Sequence, residues 1–289
     1  MASLATEKSS GDTSFGDGED AKREAQENGE TIVEPGMIPK EEYEAVEKDA
    51  IAEIREIGPA KCQDWDEAYL TDDTLLRFIR ARDGDIPETL KMLEENLRWR
   101  KEYDPDHVEQ SDIMIALDSG SWRMIGNTKG GLPAIWIQST LWNPHQYDVD
   151  CYIKLVAYFQ SRAVALAAPG KHRCVAVFDL SGWPLWHGKY NGHTMAMIKT
   201  AQNHYPERLS KIFIVNSPWL FRGVWAIISP FIDATTAAKI QFTSEDALLE
   251  LFDKETLPKE LGGTREQEYP VPNIPGEPNV DIRDWKQDV

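Results

Sequence analysis

From Trp219 to Ile232 the chain reads Trp-Leu-Phe-Arg-Gly-Val-Trp-Ala-Ile-Ile-Ser-Pro-Phe-Ile, apolar around nearly a whole helical circumference and broken only by Arg222 and Ser229. A helix apolar on every side must be buried or must meet a membrane. At about 14 residues the run is too short to span a bilayer, which takes roughly 20. It reads as a buried core helix, or as a lid that is sometimes buried and sometimes in lipid.

The residues on either side carry several motifs. Tyr205-Pro206-Glu207-Arg208 precedes a strand-like run, Lys211 to Asn216, and Asn216-Ser217-Pro218-Trp219 leads into the apolar segment. Pro230-Phe231-Ile232-Asp233, Thr236-Ala237-Ala238-Lys239-Ile240 and Leu257-Pro258-Lys259-Glu260-Leu261-Gly262-Gly263 follow. In this order and spacing the set resembles the lipid-binding CRAL-TRIO family, particularly its phosphatidylinositol-transfer branch. The resemblance extends back to about Thr71. There Leu76-Arg77-Phe78-Ile79-Arg80-Ala81-Arg82, with Leu97-Arg98-Trp99-Arg100, is similar to the family's amino-terminal helical subdomain. The implied fold is α/β: a helical subdomain, then a CRAL-TRIO lobe with a mostly parallel sheet, flanking helices and a mobile gate helix over a lipid cavity. The expected divisions are a disordered acidic tail (1–36), the helical subdomain (37–105), the lipid-binding domain (106–268) and a carboxy-terminal extension (269–289).

Local patterns give an independent reading. Pro39 opens a helix expected to run through Glu56 and to stop at Gly58-Pro59. Thr71 caps a second, with Leu75, Leu76, Phe78 and Ile79 facing inward and Arg77, Arg80 and Arg82 projecting elsewhere. Asp85 and Glu88 read as a capping-box variant for a third, with Pro87 in its first turn and Leu90, Leu93 and Leu97 at helical spacing. Lys129-Gly130-Gly131 is a turn before a strand at Ala134–Ile137. Asp148 caps a long helix stopped by Pro169-Gly170. The continuous apolar run Cys174-Val175-Ala176-Val177-Phe178 suits a parallel strand covered on both faces. A helix from about Thr194 to Asn203, the strand Lys211–Val215, a short strand at Ile240–Phe242 and a helix from Glu245 to Phe252 complete an α/β pattern. The Pro-rich end, Pro270 to Pro278, has no helix signal.

Charge narrows the partners. Forty-nine acidic against 31 basic residues give a net charge of -18. Such a surface repels nucleic-acid phosphates and the anionic cytoplasmic leaflet, so membrane contact is expected to be brief and driven by apolar insertion. Residues 1–36 are too polar to offset chain entropy, which predicts disorder. That acidic tail is a candidate protein-binding segment. Cys62, Cys151 and Cys174 are odd in number and lack a C-x-x-C pair, which fits a reducing compartment. The amino terminus lacks the basic and apolar blocks of a signal peptide. The expectation is a soluble, monomeric, cytoplasmic protein with transient peripheral membrane contact, no nucleic-acid partner, no metal and no cofactor.

A phosphoinositide enters a protein only if its phosphate and hydroxyls are paired. The resemblance implies that Glu207 pairs with Lys239 while Thr236 and Arg82 help hold the phosphate. From spacing alone, Glu207 and Lys239 read equally as a surface ion pair worth at most about 1 kcal/mol. The family branch commonly carries a second basic residue after the position of Arg82, where this chain has Asp83. Proteins of the branch that also carry phosphatidylcholine present small hydroxyl residues on the strand before Asp-Leu. Here that strand is Arg173 to Phe178, without hydroxyls, which leaves room for a sterol or isoprenoid instead. Phe221, Val224, Trp225 and Ile228 are the candidates for gate residues facing lipid.

The chain has no G-x-S-x-G elbow and no phosphate loop ending in Gly-Lys-Ser/Thr, so no enzyme is expected. Asp179, Ser181 and His187 have the composition of a hydrolase site, but a strand end and loop supply such residues by chance. An apolar strand raises the pKa of Cys174 and argues against a thiol nucleophile. The expected function is a carrier of phosphatidylinositol between membranes. The alternatives are a sensor or adaptor of the same fold, controlled by a sterol or isoprenoid, and more remotely an esterase-like enzyme.

Overall fold

The computed structural model describes residues 37–266; the expectations for the acidic tail and for Pro270–Pro278 fall outside them. A short 3-10 turn at Lys40–Glu42 precedes α1 (Ala45–Lys61). The helix begins later than the Pro39 signal because the Glu47 side chain accepts the Glu44 backbone N–H at 2.9 Å, closing the entry turn there. It also runs through Gly58-Pro59 instead of stopping. The Cys62 N–H still reaches the Gly58 carbonyl at 2.8 Å. Trp65 packs so tightly on Gly58 that a Cβ there would lie 2.2 Å from its ring. That glycine is a packing residue, not a terminator.

Helix α2 (Asp72–Arg80) starts at Thr71, whose hydroxyl oxygen accepts the Thr74 N–H at 3.2 Å. Leu75, Leu76, Phe78 and Ile79 face inward as the spacing predicts. Arg77 does not project outward with its neighbours. It is buried, because Asp73 one turn earlier is buried beside it and the two pair at 3.1 Å. Helix α3 (Ile86–Tyr103) is capped by Asp85, which accepts the Glu88 N–H at 2.9 Å. The reciprocal half of the capping box does not form, since the Asp85 N–H goes to the Arg82 carbonyl. These helices share one core, from Ile38 and Tyr43 to Leu93 and Leu97.

After α4 (Met114–Asp118) come β1 (Trp122–Asn127), β2 (Pro133–Gln138), α5 (Val149–Ala165), β3 (Cys174–Asp179), α6 (Asn191–His204) and β4 (Leu209–Val215). Then follow α7 (Phe221–Ile228), a 3-10 turn at Ser229–Phe231, α8 (Ala234–Ala237), β5 (Ile240–Phe242) and α9 (Asp246–Leu251). The five strands lie in sequence order; β1 pairs antiparallel with β2 and all other pairs are parallel. The expected apolar helix from Trp219 to Ile232 is thus an α-helix of eight residues followed by a 3-10 turn. Pro230 sits in that turn, where its missing N–H removes the next helical bond.

Both faces of the sheet are covered, and the strand period of two divides them. Trp136, Val175, Val177, Phe213 and Val215 point into a core closed by Leu248 and Phe252 of the α9 region. Their neighbours Ile137, Ala176, Phe178, Ile212 and Ile214 point to the opposite face. On the β1–β2 half that face is filled by Tyr152, Leu155, Val156 and Phe159 of α5. Beside β3 and β4 it opens into a cavity.

Candidate functional site

The cavity has a volume of about 440 Å³, within the range usual for small-ligand sites. Its floor is the apolar sheet face, with Ile137, Phe178 and Ile214; α6 supplies Met197 and Ile198. Helix α7 covers it with Phe221, Val224, Trp225 and Ile228, the four positions singled out in the sequence. They recur at i, i+3, i+4 and i+7, one face of a helix. The opposite face, with Arg222, Ala226 and Ile227, is exposed. A helix apolar all round therefore has one side on the cavity and the other toward solvent.

Polar groups gather at the edge of the cavity where the parallel strands begin. Glu207 lies two residues before β4, in the left-handed backbone region at φ 57°, a conformation that costs a non-glycine residue of order 1 kcal/mol or more. Side chains of α2 and α3 hold it there. Arg77 donates to the Pro206 carbonyl at 3.4 Å, and the Trp99 ring stacks on His204 at 4.1 Å. One Glu207 carboxylate oxygen accepts from Lys239 Nζ at 3.3 Å, as the resemblance implies, and the other accepts from Arg173. Lys239 follows α8 directly, its N–H bonded to the Thr236 carbonyl at 3.0 Å.

Thr236 and Arg82 also line the cavity, and their side chains hydrogen-bond elsewhere. The Thr236 hydroxyl donates to Asp233 at 2.8 Å, since Asp233 caps α8. Arg82 donates to the Ala81 carbonyl at 2.8 Å, and Asp83 turns the chain at φ 50°. The residue that sequence reasoning missed is Arg173. It stands immediately before the apolar strand, and a strong cation at a strand's entrance, with the Glu of Tyr-Pro-Glu-Arg near the neighbouring strand's entrance, was the available signal. The parallel pairing of β3 and β4 brings those two entrances together.

The hydrolase composition does not assemble. In a triad the histidine stands between serine and carboxylate; here the Ser181 hydroxyl donates directly to Asp179 at 2.6 Å. His187 is buried edge-on against Trp142 and Trp186, and burial pushes its pKa down. Burial also pushes the Cys174 thiol up to about 12. All three cysteines are free. Among the described residues, no helix is long and apolar enough to cross a membrane.

Two family models match: "CRAL/TRIO domain" over residues 118–263 and "CRAL/TRIO, N-terminal domain" over residues 39–95. Phosphatidylinositol transfer protein CSR1 of Eremothecium gossypii is 32% identical over 212 residues, covering 68% of this chain and 48% of that protein. Phosphatidylinositol/phosphatidylcholine transfer protein SFH13 of Arabidopsis thaliana is 30% identical over 216 residues, covering 66% of this chain and 34% of its own. The chain spans about half the length of CSR1, or less of other relatives. The crystal structure of Sfh5 superposes with a TM-score of 0.66 over 84% of this chain and 96% of that one, at 18% identity.

Proposed function

This chain belongs to the CRAL/TRIO family, and from that premise we propose that it binds phosphatidylinositol and carries it between membranes by outward movement of α7. The reading is supported chiefly by one observation: an apolar cavity with a cluster of paired ionic groups at one end and a helix of low burial over it. An anionic headgroup and hydrocarbon chains need those two environments side by side. Lys239 and Arg82 supply cations for the phosphate, Thr236 a hydroxyl, and Glu207 an acceptor for inositol hydroxyls. Arg173 holds the second oxygen of Glu207 and so fixes the direction of the carboxylate. Phe221, Val224, Trp225 and Ile228 face the acyl chains. No catalytic step is assigned.

Native mass spectrometry after exposure to mixed lipids tests the ligand. The expected result is a one-to-one phosphatidylinositol adduct, lost or strongly reduced in Lys239→Ala at unchanged thermal stability. Undiminished phosphatidylinositol loading in that variant returns Lys239 to the role of a surface ion pair. A sterol or isoprenoid adduct keeps the carrier but removes the headgroup roles of Arg82, Glu207, Thr236 and Lys239.

A further inference from the structure

The charge of the chain is unevenly distributed. Between Asp179 and Asp233 the only acidic residue is Glu207, and it is already paired with Arg173 and Lys239. The same stretch contains the exposed Lys189, Lys199, Lys211 and Arg222, and Arg208, which is half-buried against Asp73. A chain of net charge -18 thus has one long segment that is net positive.

Most of the exposed large apolar residues fall in the same segment. Among the described residues, the large hydrophobics that stand out of the surface include Trp219, Ile227 and Phe231 around α7, and Leu185 and Trp186 in the 3-10 turn Leu185–Lys189. Only Val46 and Ile115 come from the elements before β1. Leu185 is 61% exposed and Trp219 77% exposed. The turn is tied to α7: a Cβ on Gly188 would lie 3.2 Å from Val224, and the Trp183 and Phe221 rings meet at 5.6 Å. Trp186 is held in place, stacked on His145 at 5.7 Å and edge-on to Tyr190 at 5.8 Å. A fixed, half-exposed Trp with a Lys three residues on is the arrangement favoured at a membrane–water interface, where the ring lies among headgroups and the ammonium reaches the phosphates.

We infer that the turn Leu185–Lys189 is a second membrane-docking element outside the gate, and that with α7 it forms a face for an anionic lipid surface. Charge complementarity selects that occupant. The net-positive segment is attracted to anionic headgroups while the remainder of the chain is repelled, so the field orients the molecule with α7 toward the bilayer. Total charge alone gives the opposite expectation, that an anionic leaflet repels the protein. Location along the chain reverses it. The inference rests on the carrier reading only in giving α7 a membrane to face, and lipid loading measured on the same samples separates the failure of one from the failure of the other.

The test is flotation of the full chain with phosphatidylcholine vesicles containing increasing phosphatidylserine, at low and high salt. Binding is expected to rise with phosphatidylserine and to fall with salt. Trp186→Ala is expected to bind anionic vesicles roughly tenfold more weakly, in line with the apolar area of one Trp removed from the interface. Lys189→Glu, an exposed change that leaves the packing intact, is expected to weaken binding and flatten its dependence on phosphatidylserine. Both variants should load ligand as the parent does. Equal binding to neutral and anionic vesicles overturns the inference, as does unchanged binding in both variants. Absence of vesicle binding, with a protein captured through this face instead, overturns it too.

Discussion

Helices α2 and α7 are short and rich in apolar residues, and they meet opposite fates. In α2 every residue from Asp73 to Ile79 is buried, the charged pair Asp73 and Arg77 included. In α7 only Phe221 and Ile228 are, although almost every position is apolar. Hydrophobicity alone therefore does not decide which helix is fixed. Helix α2 is held by groups that have no other place to go: Asp73 accepts from Arg77 at 3.1 Å and from the Ile38 N–H at 2.8 Å, and lies 3.8 Å from Arg208. Helix α7 is held by side-chain packing over a cavity, and packing of that kind is regained when apolar residues move from protein to lipid. One helix anchors the segment that presents Glu207; the other is held by apolar packing, which is what the proposed outward movement requires.

The sharpest way to break the comparison is Asp73→Ala. Removing one partner of a buried pair leaves the other uncompensated, which typically costs about 3–5 kcal/mol. Here Arg77, buried and 3.1 Å from Asp73, loses its counterion. Chemical denaturation should show a loss in that range. A loss under about 1 kcal/mol would mean that water replaces the carboxylate and that α2 is no more anchored than α7.

A somewhat smaller effect follows from pH. His204 is stacked on Trp99, and burial lowers its pKa to about 4, against roughly 6.5 in an unfolded chain. The folded state thus refuses a proton that the unfolded state accepts. Its contribution to stability is complete above pH 6.5, declines as pH falls toward 4, and amounts over that window to about 3 kcal/mol. His204→Phe keeps the stack and removes the proton site. Its stability should decline less than the parent's between pH 7 and 4.5, as measured by urea midpoints. Parallel decline in both proteins would show that His204 is protonated in place and that the grip on the Glu207 segment is looser than its stacking suggests.

What the sequence made legible follows from the same contrast. Inward positions of α2 were readable because polar residues alternate with apolar ones, and β3 because five apolar residues run unbroken. The buried Arg77 was not, since a charge at helical spacing normally faces water and only the tertiary position of Asp73 reverses that. Strand β1 was missed because Lys129-Gly130-Gly131 marked only the turn after it, while the structure places Gly126 at a register shift, at φ 100°, opposite Ala134. In the site, Glu207 and Lys239 were readable through their motifs, and the pairing of strand entrances that brings Arg173 to Glu207 was not. Along α7, periodicity had nothing to select among apolar positions; Phe221, Val224, Trp225 and Ile228 were named through the resemblance to a gate, and the structure puts them on the cavity side.

The smallest expected effect on stability tests the α7 half of the comparison. Ile227 is 55% exposed on the outward face of α7, so Ile227→Ser should change unfolding free energy by no more than about 0.5 kcal/mol, the usual limit for surface positions. Its consequence should appear elsewhere. A helix that leaves its cavity for lipid gains from every apolar group it inserts, so the serine variant should exchange phosphatidylinositol between vesicles several-fold more slowly while retaining the same adduct in native mass spectrometry. Slower exchange at equal stability and equal loading would separate the outward face of α7, which serves encounter with lipid, from its inward face, which serves the ligand. Unchanged exchange would confine the role of α7 to its inward residues and leave Ile227 an ordinary exposed isoleucine.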